Sequence, residues 1–180
     1  SGMGGIGKTT AAAAIMRETY VREAFCEGIA WLSIGQTTID SFSQLMTHYV
    51  AITSQVTIKL NITGDLKDME ETDKKEDDMK RAYNLMDGAL RGKKIIIVLD
   101  DVWFPPAVKW FQFGSAGDSH CCKLLVTTRQ PKLIQGEHGI SHVDIGKLND
   151  DDAIKLLFKS SNRKQEYSTD ELELATSTVK

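Results

Sequence analysis

Apolar positions recur along this chain with two periods, one near 3.6 and one as short unbroken runs. Lys8 to about Phe25 (KTTAAAAIMRETYVREAF) is alanine-rich and free of proline and internal glycine, which predicts one helix ended by Gly28. Ile29–Ile34 (IAWLSI) then reads as a buried strand. A second helix is predicted over Ile39–Ser54, with Asp40 or Ser41 near its start and Phe42, Leu45, Met46, Tyr49 and Val50 at helical spacing. Met79, Ala82, Leu85, Met86, Ala89 and Leu90 recur three and four apart and predict a third, closed by Gly92. Ile95–Leu99 is wholly apolar and rich in β-branched residues, the pattern of a strand covered on both faces. Lys123–Thr128 (KLLVTT) is a second such run, reached through a short helix, and His142–Ile145 is a weaker third. Buried strands alternating with helices predict an α/β fold of three layers around a parallel sheet.

Two stretches break this rhythm. From Asn61 to Asp78 the chain turns polar, and Asp65–Asp78 holds eight acids against three lysines, which reads as a solvated surface loop. After Leu148 the pattern changes again. Asn149-Asp150-Asp151-Asp152 is a helix-start signature ahead of Ala153, Ile154, Leu156, Leu157 and Phe158, and Ser168 with Glu171 has the form of a capping box. These predict the beginning of a separate helical unit over 148–180, after a first domain over 1–147.

Composition narrows the functional classes. At 180 residues, with 41% hydrophobic and 26% charged residues, the chain is long enough for one ordinary globular domain. A formal net charge of -3 provides no basic field for nucleic acid or acidic lipid. Cys26, Cys121 and Cys122 are an odd number without framework spacing, which reads as reduced thiols in a cytoplasmic protein. No run approaches the length of a membrane helix, and the start lacks a signal-peptide layout. Asn61-Ile62-Thr63 matches a glycosylation sequon, a short pattern that recurs by chance. His120-Cys121-Cys122 with His138 lacks the cysteine spacing of a zinc site, and Trp31, Trp103 and Trp110 read as packing residues.

The chemistry is concentrated at three places. Gly2 to Thr9 reads G-M-G-G-I-G-K-T, which fits the phosphate-loop pattern G-x-x-x-x-G-K-[ST] without a mismatch. Glycines there let backbone N–H groups curl around phosphates, and the helix that follows aims its N-terminus at the anion. Lys8 is placed to reach the terminal phosphates and Thr9 to ligate Mg²⁺ through its hydroxyl. IIIVLDD supplies the complementary acids at the end of a buried strand. Asp100 is suited to hold Mg²⁺, usually through water, and Asp101 to orient or deprotonate an attacking water. KLLVTTR ends in Arg129, whose permanent charge and forked donors suit contact with a terminal phosphate.

GMGGIGKTT, KKIIIVLDDVW and CKLLVTTR, in this order and spacing, resemble the NB-ARC nucleotide-binding domain shared by plant disease-resistance proteins and the animal apoptotic-protease activator. WLSIGQ resembles that family's second strand, and HVDIGKLNDDDAIKLLFKSS the passage into the first helix of its helical ARC subdomain. The resemblance covers essentially the whole chain. It implies a P-loop NTPase fold that binds ATP or ADP with Mg²⁺ and acts as a signalling switch. In it Gly4, Gly5, Gly7, Lys8, Thr9 and Thr10 bind phosphates, with Gly2 and Ile6 completing the loop. Thr9 and Asp100 hold the metal, Asp101 acts in hydrolysis together with Lys8, and Arg129 senses the terminal phosphate. The implied partners are the other domains of a parent receptor and further copies of it in the ATP state. The implied turnover is slow and resets the switch.

The chain also departs from the family pattern. The strand that should precede Gly2, the upstream adenine and ribose segment, and the Gly-Leu-Pro-Leu and Met-His-Asp motifs are absent, so a fragment of poor stability on its own is expected. Two other classes stay open on sequence alone: a P-loop kinase or phosphotransferase, and an interaction module with a vestigial nucleotide site.

Overall fold

The apolar run after Lys94 forms the middle strand of a parallel sheet, and its side chains leave alternately toward two different layers. In the computed structural model, which describes residues 1–57, 60, 62–114, 121–130, 141–160 and 177, the chain divides into two units, 1–144 and 145–180. The elements of the first unit, in order, are α1 (Lys8–Arg17), α2 (Thr19–Ala24), β1 (Gly28–Ser33), α3 (Phe42–Gln55), α4 (Thr63–Lys67), α5 (Lys75–Leu90), β2 (Ile95–Val102), α6 (Pro105–Val108), a 3₁₀ turn (Lys109–Phe111) and β3 (Lys123–Thr128). The strand order is β1-β2-β3, with both pairings parallel.

Ile95, Ile97 and Leu99 of β2 pack with Ala30 and Leu32 of β1 against Leu45, Tyr49 and Ile52 of α3 and Met86 and Leu90 of α5. Ile96 and Val98 point the other way, onto Met16 of α1 and Val21 of α2. Both faces are therefore covered, which is why β2 carries no polar alternation before Asp100. The α/β fold with a parallel sheet expected from the sequence is the one observed. α3 starts with the capping box that its sequence allows: Ser41 Oγ accepts from the Gln44 N–H at 3.3 Å, and Gln44 Oε1 accepts from the Ser41 N–H at 3.3 Å.

Three expectations need correction. The single helix expected over residues 8–25 is two, because Glu18 adopts an extended conformation (φ −61°, ψ 134°). Thr19 and Val21 are β-branched and weak helix formers, and the break lets Val21 join Met16 against Ile96 and Val98. The expected strand at His142–Ile145 is not formed. Val143 is 69% exposed, so there is no burial to favour a strand, and its carbonyl instead accepts from the Ser1 nitrogen at 2.6 Å.

The acidic stretch at 65–78 is only partly a solvated loop. Leu66 of α4 is buried, α5 begins at Lys75, and Asp78 in its first turn is 1% exposed. The Asp78 carboxylate accepts from the Thr72 N–H at 2.6 Å and from Arg81 at 2.7 Å, and both its oxygens accept from the Thr72 hydroxyl. The other acids of the run among the described residues are exposed, as a solvated surface requires.

The second unit is described mainly by α7 (Asp150–Ser160). Asn149 Oδ1 caps it by accepting from the Asp152 N–H at 2.8 Å, and Asp150, Asp151 and Asp152 complement its N-terminal dipole. The expected helix from Ser168 lies outside the described residues. Among the described residues, no helix is long and apolar enough to cross a membrane, and all three cysteines are free.

This packing generates two expectations about stability. Gly28 has φ +146°, and a Cβ there would lie 2.8 Å from Val56 Cα and 2.9 Å from Val56 Cβ, where the end of α3 crosses the start of β1. Gly28→Ala is expected to cost about 2 kcal/mol, measured as the shift in urea unfolding free energy. For Asp78, the Thr72 backbone hydrogen bond above all, then the Thr72 hydroxyl and Arg81, hold the carboxyl below the usual aspartate range despite desolvation. A folded-state value below the unfolded one contributes stability at neutral pH that is lost as pH falls through the folded value. Asp78→Asn is therefore expected to lower the urea midpoint at pH about 7, and the gap from wild type should narrow as pH drops toward about 3.

Candidate functional site

The glycine run opens directly into α1, and its backbone is held in conformations that side chains resist. Gly5 and Gly7 lie at φ +76° and +93°, in the left-handed region. A Cβ at either would meet nothing within 4 Å, so the requirement there is one of dihedral angle rather than of space. Gly7 is the N-cap of α1, with no side-chain capping bond, and its carbonyl accepts from the Ala11 N–H at 2.8 Å. Gly2 and Ile6 are half-buried and Gly4 is exposed. Thr10 lies exposed on the first helical turn, and among the described residues its side chain takes no part in the hydrogen bonds of the site.

Lys8 is 8% exposed, unusual for a lysine, and its ammonium bends back into the loop. Nζ donates to the Gly2 carbonyl at 2.8 Å and to the Met3 carbonyl at 2.7 Å. An ammonium has three donors, so one is left for an anion within the loop. An uncapped helix N-terminus, left-handed glycines and a buried ammonium together fit a phosphate group.

The acids at the end of β2 part company. Asp100 is 7% exposed, and its Oδ1 accepts from the Thr9 hydroxyl at 2.8 Å and from the Thr127 hydroxyl at 2.6 Å. Thr9, Asp100 and Thr127 thus tie α1, β2 and β3 together at one oxygen. A hydroxyl beside a carboxylate is a hard-oxygen donor set that fits Mg²⁺ completed by phosphate and water.

Asp101 has φ +55°, the one non-glycine residue with positive φ among those described. Between Leu99↔Val126 and Val102↔Thr128 the register slips by one residue, so β2 has a bulge there. The Asp101 N–H donates to Thr127 Oγ at 2.9 Å, and its carboxylate turns outward. Oδ1 meets Arg129 Nε at 3.2 Å and Oδ2 accepts from the Trp103 indole N–H at 3.1 Å. The Arg129 guanidinium lies 4.8 Å from the Trp103 ring centroid. Its far side approaches the loop, since a Cβ on Gly4 would sit 3.0 Å from Nη1 of Arg129.

The fold therefore gathers the phosphate loop, Asp100, Asp101 and Arg129 at one end of the sheet. Two further residues join them that the sequence pattern does not single out for the site, Thr127 and Trp103. For Thr127 the available signal was a hydroxyl residue at the carboxyl end of a strand next to the acidic one. For Trp103, which reads from sequence as a packing residue, there was none, because its contacts depend on the bulge. Thr127→Val keeps the shape while removing the donor to Asp100 and the acceptor for Asp101. It is expected to cost about 1–3 kcal/mol in chemical denaturation, with Thr127→Ser recovering most of the loss.

A family model described as the NB-ARC domain matches residues 1–167. Relatives from Arabidopsis thaliana include the probable disease resistance protein RXW24L, 31% identical over 121 residues, which cover 61% of this chain and 12% of that protein. The disease resistance-like protein DSC1 is 28% identical over 165 residues, 86% of this chain and 11% of the relative. The disease resistance protein RPM1 is 27% identical over 157 residues, 84% and 15% respectively. The chain thus spans between 11 and 15% of the length of these relatives. With a match running from the phosphate loop through α7, this chain belongs to the NB-ARC domain family.

Proposed function

We propose that this chain is the nucleotide-binding part of an ADP/ATP switch in a plant defence receptor of the disease-resistance type. The observation that carries the reading is the shared contact of Thr9 and Thr127 with Asp100, which couples the phosphate loop to the ends of two strands. Lys8 and the loop N–H groups would hold the phosphates, and Thr9 with Asp100 would hold Mg²⁺. The metal, when bound, supplies positive charge that neutralises the phosphate oxygens. Arg129 would touch the terminal phosphate, and Asp101 would orient a water in slow hydrolysis that resets the switch. The nucleotide then biases a two-state arrangement with the other domains of a longer protein, and ATP favours self-assembly. The named role of the relatives in disease resistance supports the defence setting.

Calorimetric titration of the protein with ADP and ATP, with and without Mg²⁺, tests this reading. Lys8→Ala is expected to weaken both nucleotides by about 10- to 100-fold, the loss of a charge-assisted phosphate contact. Asp100→Ala should abolish the gain from Mg²⁺. No binding by the unaltered protein would favour an interaction module instead. Rapid turnover stimulated by a small-molecule acceptor would favour a phosphotransferase.

A further inference from the structure

Among the described residues, three act on different parts of the Arg129 guanidinium. Asp101 takes Nε at 3.2 Å, the Trp103 ring lies 4.8 Å from its central carbon, and Nη1 lies 3.0 Å from where a Cβ on Gly4 would sit. Trp103 acts twice, because its indole N–H also holds the second oxygen of Asp101 at 3.1 Å. The ring and the carboxylate thus form one fixed corner, and the bulge that puts Asp101 at φ +55° builds it.

The Asp101–Arg129 pair is 38% and 45% exposed on its two side chains, so water screens it and the ion pair alone is weak. A ring face adds directional attraction without satisfying any of the guanidinium N–H groups, so it can hold the planar group while those donors change partner. We propose that Trp103 is a positioning residue: it holds Arg129 over Gly4 and lets the guanidinium exchange the Asp101 carboxylate for the terminal phosphate of a nucleoside triphosphate. Trp103 thereby sets how strongly the site distinguishes triphosphate from diphosphate. This rests on the nucleotide-switch reading above. A Cβ at position 4 would sit 3.0 Å from Arg129 Nη1, so a side chain there would press on the guanidinium.

The test is the ratio of ATP to ADP affinity, measured by calorimetry with Mg²⁺ for wild type, Trp103→Leu, Trp103→Phe, Arg129→Ala and the Trp103→Leu/Arg129→Ala double variant. Trp103→Leu is expected to lower the ATP:ADP affinity ratio about two- to fivefold, the range of an exposed cation–π contact. Trp103→Phe keeps a ring face and should fall between Leu and wild type. In the Arg129→Ala background, Trp103→Leu should change the ratio no further, because the effect passes through Arg129. An equal fall for both nucleotides, or the same fall in the ratio with Arg129 already removed, would overturn the proposal. If Trp103→Leu fails to fold, Trp103→Phe with and without Arg129→Ala replaces it, and the same two outcomes decide. Failure of the wild type to bind either nucleotide overturns this proposal and the switch together. Binding with a ratio insensitive to Trp103 overturns this proposal alone.

Discussion

One buried oxygen holds the functional end of this molecule together. Oδ1 of Asp100 accepts two hydroxyl hydrogen bonds, from Thr9 on α1 and Thr127 on β3, while Asp100 itself ends the apolar part of β2. A carboxylate this far withdrawn from water is costly unless its oxygens are satisfied, so the two threonines are constrained to reach it. Satisfying it fixes the height of α1 against the sheet. That in turn places the phosphate loop, because Gly7 is both the last glycine of the loop and the N-cap of the helix.

The neighbouring aspartate shows how the same constraint sends two consecutive carboxylates to different tasks. In a regular strand Asp101 would continue the ladder toward Thr128. Thr127 instead donates to Asp100 and accepts from the Asp101 N–H, and β2 takes on one extra residue. Left-handed backbone costs an L-residue about 1–2 kcal/mol. Aspartate is among the residues that tolerate it best, and the hydrogen bond to Thr127 offsets about 1 kcal/mol. The result turns the Asp101 carboxylate outward, to Arg129 and Trp103.

Burial divides the site into two parts. Lys8, Asp100, Thr127 and Thr128 are all buried and bonded within the molecule, with the Thr128 hydroxyl donating to the Val102 carbonyl at 2.7 Å. Arg129 and Asp101 are more than a third exposed and joined by a pair that solvent weakens. Beneath both, the alternating side chains of β2 anchor the strand ends in two separate apolar layers. Displacing the buried half would strip partners from buried charge, a cost that the exposed pair largely escapes.

Local composition alone determined a good deal about this protein. The period of its apolar residues set the helices and strands, since one-sided and two-sided burial leave different marks on a sequence. The loop Gly2–Thr9 was equally plain, because left-handed backbone beside a helix start demands glycine. What tertiary structure decided were the features that need two distant segments at once. The break at Glu18 exists because Val21 packs on β2, and Asp78 is buried because Thr72 and Arg81 meet it. Val143 is 69% exposed, so burial does not draw it into the sheet. The pairing of Arg129 with Asp101 and Trp103 depends on a one-residue slip between β2 and β3. A register slip is a property of two strands together, and neither strand's sequence carries it alone.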